Sequence, residues 1–370
     1  MFRHLFFPLI ASLAATVSAQ NSTSSAACNN SPDLCERAYN NVTYLGAHDS
    51  PFLRDASTSY SESGNQFYNS TVQLSAGVRL LTAQVHNTNS SNPSAGEWHL
   101  CHTSCSLLDA GRLRDWLTEI KNWLAANKNE VVTILLVNSD DADASELAAE
   151  YEAAGIEDYV YTPPSITTAP SEWPTLQTLI NNGTRLLNFV ASLDASSNTV
   201  APYLMDEFTF IFENPYDNSS PSNFTCTPDR PSSVSGNIQA ALSKNMMPLM
   251  NHFLYNNTGS IFGIDIETPN VDAVNVTNGP SGSGTGNLGD SAVACASTYG
   301  RAPTYLLVDF FNAGPAIATV DTLNGISNPV GRTSVGDSVR SRSSTSGAGG
   351  KSVSNIALVA ALLASVTIFG

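Results

Sequence analysis

Four of the six histidines, His48, His86, His102 and His252, stand at the ends of short aliphatic runs. Asp49, Glu213 and Asp309 occupy similar positions, as do the amides Gln84, Asn138 and Asn251. Imidazole titrates near neutral pH, so one ring can take a proton from an attacking hydroxyl while a second returns one to a leaving oxygen. Each ring needs an orienting group; Asp309, after Leu306-Leu307-Val308, would need a partner if buried, while Asp49 before Ser50-Pro51 also suits a turn. No serine nucleophile elbow, phosphate-cradling glycine loop or HExxH pattern competes with this reading.

The elements that must carry these residues read as strands at 42–47, 79–86, 98–102, 131–138, 185–191, 208–213, 247–254 and 304–310. Between them lie helical patterns. The clearest, at 107–127, repeats Leu113, Trp116, Leu117, Ile120, Trp123 and Leu124 at three- and four-residue spacing. Others fall near 144–154, 174–181, 235–243, 289–298 and 315–323. Mostly continuous apolar strands separated by helices specify an α/β protein with a parallel sheet covered on both faces. Eight strands specify a closed barrel in a single domain, whose site forms at the C-terminal strand ends where the polar residues cluster.

NVTYLGAHDS at 41–50, QLSAGVRLLTAQVH at 73–86 and the stretch from WHLCHTSC at 98 to LLVNSD at 140 together resemble the X domain of phosphatidylinositol-specific phospholipases C. They are most similar to secreted phospholipase-C-like phosphodiesterases of fungi. The likeness covers the first half of the mature chain and reaches the second through its spacing and YLLVDFFN at 305–312. It implies a distorted (β/α)8 TIM barrel that cuts a phosphodiester, phospholipid or otherwise. His48 would be general base and His102 general acid, with Asp309 holding His48 and Asp49 lying against His102. The second strand departs from the family, whose bacterial members carry Asp-x-Arg and whose animal members carry calcium-binding Glu-x-Asp where this chain has Thr82-Ala83-Gln84. No metal or other cofactor is therefore expected; calcium would need other oxygen ligands, such as Glu213, Asp265 and Glu267. Gln84, His86, Asn138, Glu213, Asn251 and His252 are the expected substrate contacts, with His86 the candidate to replace the missing charge. Two alternatives keep the barrel: a non-catalytic binder of a phosphorylated headgroup or glycan, and a glycosidase using Glu213 and Asp265.

Only 13% of the 370 residues are charged, against roughly a quarter in an ordinary soluble protein, and the net charge of −16 argues against nucleic acid as a partner. The ends differ from the middle. Residues 1–19 read as a signal peptide cleaved after Ala19. Residues 20–331 hold the barrel, 332–346 form a Ser/Gly-rich stalk, and 347–370 form a glycosylphosphatidylinositol attachment signal with its acceptor at Ser346 or Gly347. The expected location is the outer leaflet or cell wall. Six cysteines on a secretory route suggest three disulfides; short separations favour Cys28 with Cys35 and Cys101 with Cys105, leaving Cys226 with Cys295 among fifteen pairings. Ten N-x-S/T sequons, at Asn21, Asn29, Asn41, Asn69, Asn89, Asn182, Asn218, Asn223, Asn256 and Asn275, predict a glycosylated surface.

Overall fold

Apolar runs without polar alternation need cover on both faces, which parallel neighbours and flanking helices supply. A computed structural model describes residues 27–339 apart from 90, 93–95, 197, 262–263 and 338. Its strands are β1 (Tyr44–Ala47), β2 (Leu80–Asn87), β3 (Trp98–Cys101), β4 (Asp109–Arg112), β5 (Val132–Asn138), β6 (Leu186–Ala191), β7 (Leu204–Asp206), β8 (Ile211–Glu213), β9 (Met247–Asn251), β10 (Tyr255–Ile261), β11 (Ile264–Pro269) and β12 (Tyr305–Val308). The helices are α1 (Ser70–Ala76), α2 (Leu113–Ala126), α3 (Ala144–Ala154), α4 (Leu176–Asn182), α5 (Glu207–Phe210), α6 (Ile238–Ser243), α7 (Val274–Thr277), α8 (Leu288–Tyr299) and α9 (Ala316–Asn324).

Strands β1, β2, β5, β6, β7, β8, β9 and β12 follow one another around a parallel sheet, and β12 pairs back onto β1, Tyr305 beside Tyr44 and Val308 beside Ala47. The result is a (β/α)8 barrel in one domain. It is distorted because β7 and β8 are the two ends of the sheet, joined by the single turn of α5. Side chains alternate along each strand. Tyr44, Leu80, Leu135, Leu187, Leu249, Tyr305 and Leu307 fill the interior, closed at the N-terminal end by Tyr39, whose hydroxyl meets Thr133 Oγ1 at 2.6 Å and the Tyr305 hydroxyl at 2.5 Å. Leu45, Leu81, Val85, Ile134, Leu306 and Val308 form an outer layer with Leu113, Trp116, Leu117, Ile120 and Leu124 of α2.

Two expectations change. The run at 98–102 is not a barrel stave but β3, antiparallel to β2 and to β4, and the remaining stave is β7, too short at three residues to announce itself. The helix expected from 107 begins at Leu113, since β4 pairs with β3 and Gly111 adopts a φ of +95° that a helix cannot contain. All six cysteines are bonded, Cys28–Cys35, Cys101–Cys105 and Cys226–Cys295.

Residues 332–336, at the start of the expected stalk, are seated on the body. Arg332 pairs with Asp321 (2.5 and 2.7 Å), Thr333 N–H donates to Ser75 O, and Asn312 Nδ2 donates to Gly336 O. The expected signal peptide and attachment signal lie outside the described residues. No helix among those described is long and apolar enough to cross a membrane. Asn29 and Asn218 are buried and hydrogen-bonded, so these two sequons are closed to glycosylation in the folded chain.

Gly46 sits inside the barrel one residue pair below His48, and a Cβ there would come within 2.8 Å of both Leu80 and Leu307. Gly46→Val should therefore cost about 1–3 kcal/mol by overpacking. Urea unfolding should show a lower midpoint with an unchanged slope.

Candidate active site

Three chain segments meet at the C-terminal rim. β1 and β12 are paired, so the residues after them, His48 and Asp309, emerge side by side although 261 positions apart. His48 Nδ1 lies 2.8 Å from Asp309 Oδ1, which also accepts from Asn65 Nδ2 at 3.0 Å. This contact holds the neutral ring with its proton on Nδ1 and its lone pair on Nε2. The ring is stacked flat on Phe253, centroids 3.8 Å apart and planes within 4°. Asp49 follows at φ +47°, a left-handed conformation uncommon outside glycine, and its N–H donates to Thr82 Oγ1 at 2.8 Å. That turn swings its carboxylate back over the rim.

Asp49 Oδ2 is 3.6 Å from His48 Nε2 and 3.5 Å from His102 Nε2, so one oxygen stands between the two rings. Gln84 Nε2 donates to that oxygen at 2.8 Å, and Gln84 Oε1 accepts from Thr103 N–H at 2.8 Å. The amide of Gln84 thus ties Asp49 to the loop carrying His102, which the Cys101–Cys105 disulfide closes. His102 meets the edge of Phe52 (5.2 Å, 83°). The electrostatics separate the two rings. Burial opposes charge on His48, but Asp49, Asp309 and Glu213 outweigh it and raise its pKa above the ordinary value. For His102 burial wins, aided by His48, and its pKa falls despite Asp49 and Asp309.

His48, Asp49, Thr82 and Gln84 form one wall of a cavity of about 210 Å³, with Leu135, Val137 and Leu307 at its base. Glu213, Tyr216, Arg230, Asn251, Phe253 and Tyr255 form the rest. Glu213 Oε2 accepts from Arg230 Nε at 3.0 Å, from Arg230 Nη2, and from Asn251 Nδ2 at 3.1 Å. The guanidinium lies 4.4 Å from the centre of the Tyr216 ring. Behind Glu213, burial and the neighbouring carboxylate push the pKa of Glu207 of α5 well above its ordinary value.

A family model described as PI-PLC X 1 matches residues 34–324. The chain belongs to the PI-PLC X family. It is 37% identical over 300 residues to PI-PLC X domain-containing protein 1 of Arthroderma benhamiae, a match covering 81% of this chain and 90% of that relative. It is 36% identical over 292 residues to an uncharacterized secreted protein of the same fungus, covering 79% of this chain but 62%, less than two thirds, of that relative's length. Among solved structures, phosphatidylinositol-specific phospholipase C from Listeria monocytogenes is similar with a TM-score of 0.48 at 16% identity, over 79% of this chain and 94% of that one.

Three expected contacts lie away from the cavity of this PI-PLC X chain. His252 and Asn138 have the wrong parity: Asn251 and Val137 face the interior, so the adjacent residues turn outward. His252 is fully buried, its Nε2 facing Thr277 O and Gly286 O at 3.1 Å and its ring stacked on Phe224. Burial pushes its pKa down to about 4. Asn138 braces its own loop through Ala142 and the carbonyl of Ser192. His86 has inward parity but lies beyond the barrel, where β2 continues into the β3 hairpin, and its Nδ1 is 3.3 Å from Asp140. Conversely, Arg230 was not among the expected site residues. It comes from an irregular polar segment, and its signal is tertiary: an antiparallel bridge between Glu213 and Arg230.

Of the residues named for calcium, one is engaged in the cavity wall. The carboxylate of Glu213 is taken up by Arg230 and Asn251, Glu267 has a partner of its own, and the Asp265 side chain lies outside the described residues.

Two titrations check these fields. In NMR spectra His48 should titrate above and His102 below the ordinary value of about 6.5. A carboxylate favours the charged ring, so Asp309→Asn should lower the His48 midpoint. His252 is neutral when folded, so between about pH 6.5 and 4 the unfolded chain binds a proton that the folded chain refuses. Its contribution should weaken stability by up to about 1.4 kcal/mol per pH unit as pH falls, and His252→Gln should remove that slope in urea unfolding.

Proposed function

We propose that this chain is a secreted, phospholipase-C-like phosphodiesterase held at the cell surface, in which His48 is general base and His102 general acid. The observation that carries the reading is the placement of both Nε2 atoms against one Asp49 oxygen, beside a cavity that His48 lines. An attacking hydroxyl gives its proton to His48 Nε2 as its oxygen bonds phosphorus. The bond to the leaving oxygen breaks as His102 donates to it, and Asp309 steadies the imidazolium formed at His48. In the free site a single proton favours His48, whereas this step needs it on His102. The negative charge of a bound phosphodiester, added to Asp49, raises the proton affinity of His102.

The cavity, smaller than a drug-sized ligand site, suits a headgroup rather than acyl chains, in keeping with a phosphoinositide or another phospholipid lying across the rim. Secretion is supported by three disulfides, by the residue 1–19 pattern and by the relative named as secreted. The tail beyond the seated residues 332–336 supplies stalk and anchor, with the attachment signal at 347–370. A non-catalytic headgroup binder is the second reading, favoured by a neutral Gln84 already engaged with Asp49 and Thr103.

Release of phosphorylated headgroup from a panel of lipid vesicles separates the two. The parent should turn over at least one lipid, and His48→Ala or His102→Ala should each lose about 10²–10⁴-fold in kcat/KM. Headgroup binding by the parent without turnover would establish the second reading instead.

A further inference from the structure

Cleavage of a phosphodiester develops negative charge on the non-bridging oxygens, and a fixed cation or set of donors must face them. Position 84 does not provide one. Its amide is neutral, and both ends are engaged, Nε2 with Asp49 and Oε1 with Thr103. His86, the other basic group on that strand, is paired with Asp140 away from the cavity. Among the described residues Arg230 is the one Lys or Arg lining the cavity that holds His48, Asp49 and Gln84.

We propose that Arg230 supplies the positive charge to the substrate phosphate, in the cavity that His48 also lines. This rests on the phosphodiesterase reading above. The side chain is prepared for that role. Glu213 Oε2 takes the Nε and Nη2 edge, while Nη1 has no hydrogen-bond partner among the described residues and keeps its donors for a ligand. The ring of Tyr216 covers one face of the guanidinium, which limits it to in-plane contacts. The backbone is tied as well: Glu213 N–H donates to Arg230 O at 2.9 Å, Asp229 N–H donates to Glu213 O at 2.7 Å, and the Cys226–Cys295 disulfide anchors the segment to α8. His48 and Arg230 line the same cavity of about 210 Å³. Asn251 donates to the same Glu213 oxygen and helps hold it where it aims the guanidinium.

Two measurements test this, one with turnover and one without. On the lipid that the parent cleaves, Arg230→Gln should lose at least about 10²-fold in kcat/KM, mostly in kcat, and Arg230→Lys should lose less. Guanidinium added to Arg230→Ala should restore turnover at least tenfold, and isosteric neutral urea should not. Parent-like turnover by Arg230→Gln, where His102→Ala is inactive, would overturn the inference and leave the phosphodiesterase reading intact. Where no lipid is cleaved, the parent itself decides. Inorganic phosphate should slow phenylglyoxal modification of Arg230, followed by peptide mass spectrometry, while distant exposed Arg112 stays equally reactive. Equal labelling of Arg230 with and without saturating phosphate would overturn the assignment, and this readout needs no variant to fold.

Discussion

One carboxylate oxygen, Oδ2 of Asp49, organises the rim of this barrel. It stands between two imidazoles and accepts from Gln84, and it reaches that place because Asp49 adopts a left-handed backbone conformation pinned by Thr82. A regular continuation of β1 would point the side chain away. Almost every other feature of the site serves this arrangement. Closure of β12 onto β1 delivers Asp309 to the far side of His48, Gly46 keeps the packing beneath it within bounds, and the small disulfide loop sets His102 against the same oxygen.

The charge distribution follows from the same geometry. The chain is strongly acidic, yet its rim and cavity pair each of these basic groups with a carboxylate: His48 with Asp309, His102 with Asp49, Arg230 with Glu213. Pairing keeps each group fixed and available while preventing mutual repulsion, as a preorganised polar site requires. It also explains why the two histidines differ, since His48 is flanked by two carboxylates and His102 is governed by burial. Thr82 and Gln84, both neutral, brace Asp49.

Much of this was legible in the residues themselves. The aliphatic runs located seven of the eight staves, and short separations favoured the disulfide pairs that form. His48, Asp49, His102, Gln84 and Asp309 are drawn together at one rim, with Glu213 and Asn251 lining the same cavity as His48. Strict attention to alternation would have gone further, because Asn138 and His252 each stand one residue from an inward-facing neighbour. The three-residue β7 was beyond reach, being defined by pairing with β6 rather than by composition, and the run at 98–102 has strand character whichever direction it takes.

The sequence by itself determined the periodicities, the barrel class and the supply of titratable groups, because these depend on local propensity and on which faces must leave water. Tertiary structure alone decided which polar side chains share a cavity. Arg230 lies 17 residues from Glu213 in a segment without regular pattern, and its place follows from a bridge between those two backbones. His86 has the type, strand and parity of a site residue, yet the hairpin carries it past the rim. Local pattern specifies the face a residue takes on its own strand; its distance from the other strands' residues is set by where the sheet closes and where each strand ends.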